Sequence, residues 1–212
     1  LNFPSKTTAG TVSSTDYEQY AYDASGNRTS LRKRDAQVIA YTYDALNRNV
    51  LKDVPGGYAN DVYFDYDTRG LMRYARFGSS SGAGIIRTYD GFGQLKTSTN
   101  TLGGMSRQLS YEYAADGTRR KLTFPGGVYF TFDYDALGRM TAIRESSGTA
   151  VTTIGYDTRG RRGSLSGGIG TGYGYDAIGR LSSLSHNLAG TAQDVAYAYS
   201  SYNPASQLLT QG

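Results

Sequence analysis

The chain has 212 residues, with 22 basic and 18 acidic side chains, a formal charge of +4, one histidine and no cysteine, which excludes disulfides and thiolate chemistry. Its densest basic clusters, Arg32 to Arg34 and Arg119 to Lys121, are too short for a polybasic nucleic-acid arm and read as solvated faces. Hydrophobic residues make up 38%, with 20 Tyr, 7 Phe and no Trp, and the 28 Gly are about twice average usage, so the composition points to many short strands and turns around a half-wet core.

No apolar run approaches the ~18 residues of a membrane-spanning helix. The chain begins at Leu1 without Met and is read as a fragment of something longer.

Residues 1–19 form an N-terminal lead-in, a partial repeat. From there one motif recurs. Its first copy, Y-D-A-S-G-N-R, sets Tyr22, Asp23 and Gly26 in line. The second, Y-D-A-L-N-R-N, sets Tyr43, Asp44, Asn47 and Arg48. Y-D-T-R-G-L-M follows with Tyr66, Asp67 and Gly70, then Y-D-G-F-G-Q-L with Tyr89, Asp90 and Gly93. A degenerate copy, Y-A-A-D-G-T-R, keeps Tyr113 and Gly117. The clearest three come next: Tyr134, Asp135, Gly138 and Arg139; Tyr156, Asp157, Gly160 and Arg161; Tyr175, Asp176, Gly179 and Arg180. A last degenerate copy, Y-N-P-A-S-Q-L, begins at Tyr202. The tyrosines stand 19 to 27 residues apart, so residues 20–212 are predicted to be one continuous array of about nine units of about 22 residues.

Within a unit, an apolar or aromatic residue often sits two before the motif tyrosine, as Tyr41, Phe64 and Phe132 do. Period two places both on one face of a strand. Asp at the start of a turn accepts a hydrogen bond from the backbone two residues on. Gly, or Asn47 in the second copy, supplies the positive φ that closes a three-residue loop. If Ala136, Leu137 and Gly138 form such a loop, Asp135 faces Arg139 across the hairpin, and Tyr134 faces Met140 one pair further in. The expectation is a hairpin with a charged face and an aromatic face. The motif tyrosines are expected to stack as a continuous ladder along the aromatic one.

A second turn is expected half a unit later, at Pro55 to Gly57, Gly78 to Gly84, Leu102 to Gly104, Pro125 to Gly127, Ser146 to Thr149, Gly167 to Gly172 and Leu188 to Thr191. Two strands per unit give about eighteen strands. At roughly 4.8 Å each they span about 86 Å. Open sheets rarely pass ~10 strands without curling. The predicted fold class is therefore all-β: tandem antiparallel hairpins in a long coiled strip.

Several constellations are weighed and set aside. His186 with Ser183 or Ser185 and Asp194 lacks a nucleophile-elbow sequence, and His186 reads as a loop residue. Asp65 with Asp67, or Asp133 with Asp135, alternate on a strand and are weak calcium candidates. Gly78 to Gly84 and Gly167 to Gly174 lack the Lys-Ser or Lys-Thr of a phosphate-binding loop and read as hairpin tips.

The motif Y-D-x-x-G-R, behind Y-x-Y strands at this spacing from Tyr20 to Leu208, resembles the Rhs, or YD-repeat, family of bacterial polymorphic toxins, insecticidal toxin-complex proteins and animal teneurins. The resemblance implies a strip that spirals into a hollow, cocoon-like shell, enclosing a C-terminal toxic domain in bacterial members. It also implies a secreted or cell-surface location. Many members end the repeats with a core whose D-P-x-G type motif is linked to self-cleavage. This chain has no Asp-Pro pair, and Asn203 precedes Pro204 in the last copy, so neither self-cleavage nor toxicity carries over. The expectation is a structural shell segment rather than an enzyme, with no cofactor, metal, nucleic-acid partner or membrane span. Its partners would be other parts of the same polypeptide or shell. Two other classes compete: a carbohydrate or cell-surface binding module using Tyr as a sugar platform, and a filament or adhesive assembly through free strand edges.

Overall fold

In a computed structural model of the chain, the described residues are 2–6, 12–57, 60–188 and 191–211. They form nineteen strands, and the helical turn among them at Leu102–Gly104 is a single 3-10 turn. The all-β expectation holds. The chain divides into two compact units, up to Ser110 and from Tyr111 onward.

The first unit runs β1 (Asn2–Lys6), β2 (Val12–Tyr22), β3 (Arg28–Arg32), β4 (Val38–Tyr43), β5 (Asn49–Asp53), β6 (Val62–Tyr66), β7 (Met72–Phe77), β8 (Gly84–Tyr89) and β9 (Leu95–Asn100), then enters β10 (Arg107–Tyr113). The second runs from the end of β10 through β11 (Arg119–Thr123), β12 (Tyr129–Tyr134), β13 (Met140–Glu145), β14 (Ala150–Tyr156), β15 (Arg162–Gly167), β16 (Gly170–Tyr175), β17 (Leu181–Asn187), β18 (Val195–Tyr202) and β19 (Leu208–Gln211). From β1 to β10, and again from β11 to β19, each strand pairs antiparallel with the next in sequence. Connections therefore alternate between the two ends of the strands, motif loops at one end and the second turns at the other.

The motif loops are three-residue loops closed by a left-handed residue. In the sixth copy the Asp135 N–H donates to the Arg139 carbonyl at 2.9 Å and the Gly138 N–H to the Asp135 carbonyl at 3.0 Å. Gly138 has φ 73°, and Asn47, standing in for Gly, has φ 59°. The pairing of Tyr134 with Met140 is as expected. Beyond it the register departs from a plain hairpin. Asp133 pairs with Ala142, so Thr141 is an extra residue, a β-bulge. The same bulge follows the motif tyrosine at Tyr22, Tyr43, Tyr66, Tyr89, Tyr156 and Tyr175.

The second turns differ from expectation at two places. The turn between β3 and β4 is missing from the expected set. There the Lys33 N–H donates to the Gln37 carbonyl at 2.7 Å, and Ala36 takes the positive φ of 67°. A left-handed Ala carries no Gly or Pro signal, which is why this turn is invisible in the sequence. Between β15 and β16 the tip is shorter than Gly167 to Gly172, because strand pairing reaches Thr171 and Gly172. Gly172 and Gly174 lie opposite Ser185 and Ser183. A Cβ on Gly174 would stand 2.2 Å from the Ser183 hydroxyl, so these glycines serve close strand approach rather than a loop. The turn foreseen at Leu188 to Thr191 contains residues 189 and 190, which lie outside the described residues.

Burial is thin throughout. Among the described residues the buried hydrophobics are Phe132 and Ala142. Most strand positions are half-buried, as a Tyr-built wall requires.

Candidate functional site

The chemistry-bearing residues of the motif converge on the joint between one hairpin and the next. It is built in three layers.

The first is the loop itself. One carboxylate oxygen of Asp135 accepts two backbone N–H groups, from Leu137 and Arg139, both at 2.9 Å. The other accepts Arg139 Nε at 2.7 Å. Asp44 with Arg48, Asp157 with Arg161 and Asp176 with Arg180 repeat this arrangement. The expected single turn bond is thus a pair, and the carboxylate is fully engaged. The Arg139 side chain, and after it the Arg139 backbone N–H, hold the Asp135 carboxyl below the usual carboxylate range. For Asp44 the backbone N–H of Arg48 comes first and its side chain second. Asp23 binds Asn27, Asp67 binds Arg69, and the Asp90 carboxylate accepts the Phe92 and Gln94 N–H groups. In the degenerate copies Asp116 caps the Thr118 N–H, and Asn203 the Gln207 N–H.

The second layer is the phenol. Pairing between successive hairpins stops short of the motif end. Between β13 and β14 the last pair there is Ala142 with Thr153, which leaves the Met140 carbonyl facing the next hairpin with no strand partner. Tyr156 of that next hairpin donates its hydroxyl to it at 2.8 Å. An unpaired backbone carbonyl is costly where water is displaced, and a phenol spans the gap. The pattern repeats at Tyr43 to Arg28, Tyr66 to Asn49, Tyr89 to Met72, Tyr134 to Arg119, Tyr175 to Arg162 and Tyr202 to Leu181. In every case the acceptor is the sixth residue after the preceding motif tyrosine.

The third layer is the guanidinium. Arg139 lies 4.4 Å from the ring centroid of Tyr156, Arg161 4.1 Å from Tyr175, Arg180 4.4 Å from Tyr202 and Arg48 4.8 Å from Tyr66. Each is a cation–π contact onto the following repeat. This corrects the expectation of separate charged and aromatic faces. The arginine that pairs with its own Asp also covers the next tyrosine, because the bulge and the splayed hairpin ends bring them together. It corrects the tyrosine ladder too: at these four joints the guanidinium, not another tyrosine, lies over the ring. The motif glycine leaves room for it, since a Cβ on Gly160 would stand 3.3 Å from Arg139 Nη1.

Four arginines outside the expected set join this network. Arg28 and Arg119 stand one position later than the motif arginine and stack on Tyr41 and Phe132, two residues before the next motif tyrosine. The signal for them was the shift of Arg to the sixth position where the fifth is Asn27 or Thr118. Arg69 and Arg159 sit inside the loop and donate to the Asp90 and Ala177 carbonyls of the next loop, both at 2.8 Å.

The basic clusters are tied down. Arg34 binds both oxygens of Asp16, Lys33 pairs with Asp35, and Arg32 lies 3.9 Å from the Tyr17 ring centroid. Lys121 pairs with Glu112. The Ser-His-Asp arrangement is not assembled. His186 is on β17 rather than in a loop, and its Nδ1 meets the Thr171 hydroxyl at 3.1 Å. Asp194 instead accepts the Leu188 N–H. Asp65 and Asp133 are ion-paired with Arg73 and Arg144. No helix among the described residues is long and apolar enough to cross a membrane.

A family model described as RHS Repeat matches residues 113–150, the stretch that carries the fifth and sixth copies. Toxin protein Tse5 of Pseudomonas aeruginosa is 33% identical over 147 residues. That alignment covers 68% of this chain and 10% of Tse5. Among solved structures, a chain of the TcdB2-TccC3-TEV crystal structure superposes with a TM-score of 0.69 at 12% identity, covering 94% of this chain and 12% of its own length. The TcdB2-TccC3 crystal structure gives a TM-score of 0.53 at the same identity, over 99% of this chain and 15% of its own. At that identity the likeness is one of fold. This chain spans about a tenth of the length of the toxin relative and a slightly larger share of the solved chains.

Proposed function

We propose, for a chain that belongs to the Rhs, or YD-repeat, family, that it is a wall segment: a non-enzymatic array from residue 20 to residue 212 that encloses or presents another part of the same polypeptide. The carrying observation is that the motif spends its reactive-looking groups on its own joints. The Asp135 carboxylate is bound within its own loop by Arg139, the Arg139 guanidinium covers Tyr156 of the next hairpin, and the Tyr156 phenol reaches back to the Met140 carbonyl. The motif residues are thus structural, and the unit they build is repeatable without limit along the chain. Likeness to a bacterial toxin protein supports an effector as the enclosed part, and a secreted or cell-surface setting.

The test is limited proteolysis of the whole parent polypeptide. Its regions outside the array should resist cleavage while the joints are intact. They should become cleavable when Tyr156→Ala and Tyr175→Ala are combined. Equal cleavage of the two proteins would overturn the wall reading.

A further inference from the structure

In each unit the strands end on two rims, the motif loops forming one and the second turns the other. Connections on a rim are two strands apart, about 9.6 Å. In the second unit the fourth residues of three successive motifs, Leu137, Arg159 and Ile178, are all exposed. Leu137 is 76% exposed and Ile178 72%. Three successive positions on the opposite rim carry Val128, Glu145 and Ile169, with Val128 56% and Ile169 52% exposed. One rim reads apolar, cation, apolar; the other reads apolar, anion, apolar. The first unit repeats the pattern with different residues. Its motif loops present Leu46, Arg69 and Phe92, the last 94% exposed, and its opposite rim presents Val38, Asp53 and Phe77, but here the cation is already ion-paired with Asp67 of its own loop.

Exposed apolar tips alternate with a charge along each rim, and the charges say what fits. Glu145 accepts the Ser147 hydroxyl, and neither it nor Asp53 makes an ion pair among the described residues. Arg159 donates to a loop carbonyl and likewise has no ion pair among them. Facing two motif rims would set cation against cation, so the complementary contact joins unlike rims. A partner that meets every knob must share the ~10 Å period of two strands. A second run of the same repeats has that period by construction; a lipid surface does not.

We propose that the motif rim of one copy of this chain docks on the opposite rim of a second copy, Leu137 and Ile178 against Val128 and Ile169, with Arg159 facing Glu145. Apolar, charged, apolar reads alike from either end, so the two runs fit in either direction. The contact is heterologous, one patch on a different patch, and so adds copies rather than closing a symmetric dimer. It does not depend on the wall reading, which survives its failure.

Sedimentation velocity of the purified chain over a concentration series tests it. The chain should associate reversibly, less so in high salt. Arg159→Glu or Glu145→Arg alone should weaken association by about tenfold, from like charges placed face to face. The chain carrying both swaps should recover to within about threefold of the original. Leu137→Ser with Ile178→Ser should abolish association while circular dichroism stays unchanged. A chain that stays monomeric throughout overturns the proposal. So does association indifferent to the swaps, as pairing along a free strand edge would give, or a double swap no better than the single ones.

Discussion

The two units use the same hairpin but complete its joints unequally. In the second, Arg139, Arg161 and Arg180 cover three successive tyrosines. In the first, only Arg48 does so from the motif position among the described residues, onto Tyr66. Arg28 acts from one residue later, Arg69 from within the loop, and Gln94 stands where an arginine would be. The phenol bond is constant where the guanidinium is not: Tyr43, Tyr66 and Tyr89 in one unit, and Tyr134, Tyr156, Tyr175 and Tyr202 in the other, all reach the preceding hairpin. The hydroxyl satisfies a backbone carbonyl left without a strand partner, and the guanidinium reinforces a ring already in place. A repeat therefore tolerates a displaced arginine more readily than a lost tyrosine.

Removing the tyrosine tests this most severely. Tyr156→Ala loses a ring, a hydroxyl bond and the Arg139 contact, and should cost about 3 kcal/mol. Tyr89→Ala, with its hydroxyl bond but no motif arginine before it, should cost roughly 1 kcal/mol less. Denaturant melts of the two variants, with hydrogen exchange read at the loops on both sides, give the comparison. Protection lost in one hairpin alone would contradict a shared joint.

Gly160→Val and Gly70→Val separate backbone from neighbour. Both positions have positive φ, 80° and 85°, and both should lose about 1–2 kcal/mol. A Cβ at Gly160 also meets Arg139, whereas one at Gly70 meets nothing within 4 Å. The melting temperature should fall further for Gly160→Val, and equal falls would remove the arginine from the account.

Replacing Tyr156 or Tyr89 by Phe keeps the ring and deletes only the bond. Each should cost about 1 kcal/mol, the same in both units, because the acceptor geometry is the same. A difference larger than the error of the melts would show that the hydroxyl is not the common element.

Acid sharpens the comparison across the whole chain. The motif carboxyls Asp23, Asp44, Asp67, Asp135, Asp157 and Asp176 are all held below their ordinary value. Their contribution is complete above the unfolded carboxyl pKa near ~3.9 and is lost as pH falls through the lower folded values. Melting temperature should be flat from pH 7 to about pH 5 and drop below about pH 4. A drop beginning near neutrality would point to another group.

The smallest effect is a gain. Ser206 takes the left-handed position of the last copy with φ 61°. Ser206→Gly relieves that conformation and should add about 0.5–1 kcal/mol, read as a raised melting temperature of the C-terminal hairpin.

What could be read from residues alone was whatever closes within a few positions of itself. Asp135, Leu137, Gly138 and Arg139 satisfy one another inside five residues, so the loop, its positive φ, its ion pair and the pairing of Tyr134 with Met140 were all legible. The turn at Ala36 was not, because its conformation is held by the flanking strands rather than announced by its side chain. The bulge at Thr141 was not either. A plain antiparallel ladder satisfies the same local rules, and no side chain of the motif marks the place of the extra residue. The destination of Tyr156 and Arg139 belongs with it. Each finds its partner on a neighbouring repeat, sixteen or seventeen residues away in sequence, at a point fixed by where strand pairing stops. Local hydrogen-bond geometry determined the hairpin from sequence; the joint between hairpins was decided only when the strands came side by side and left a carbonyl for a phenol to fill.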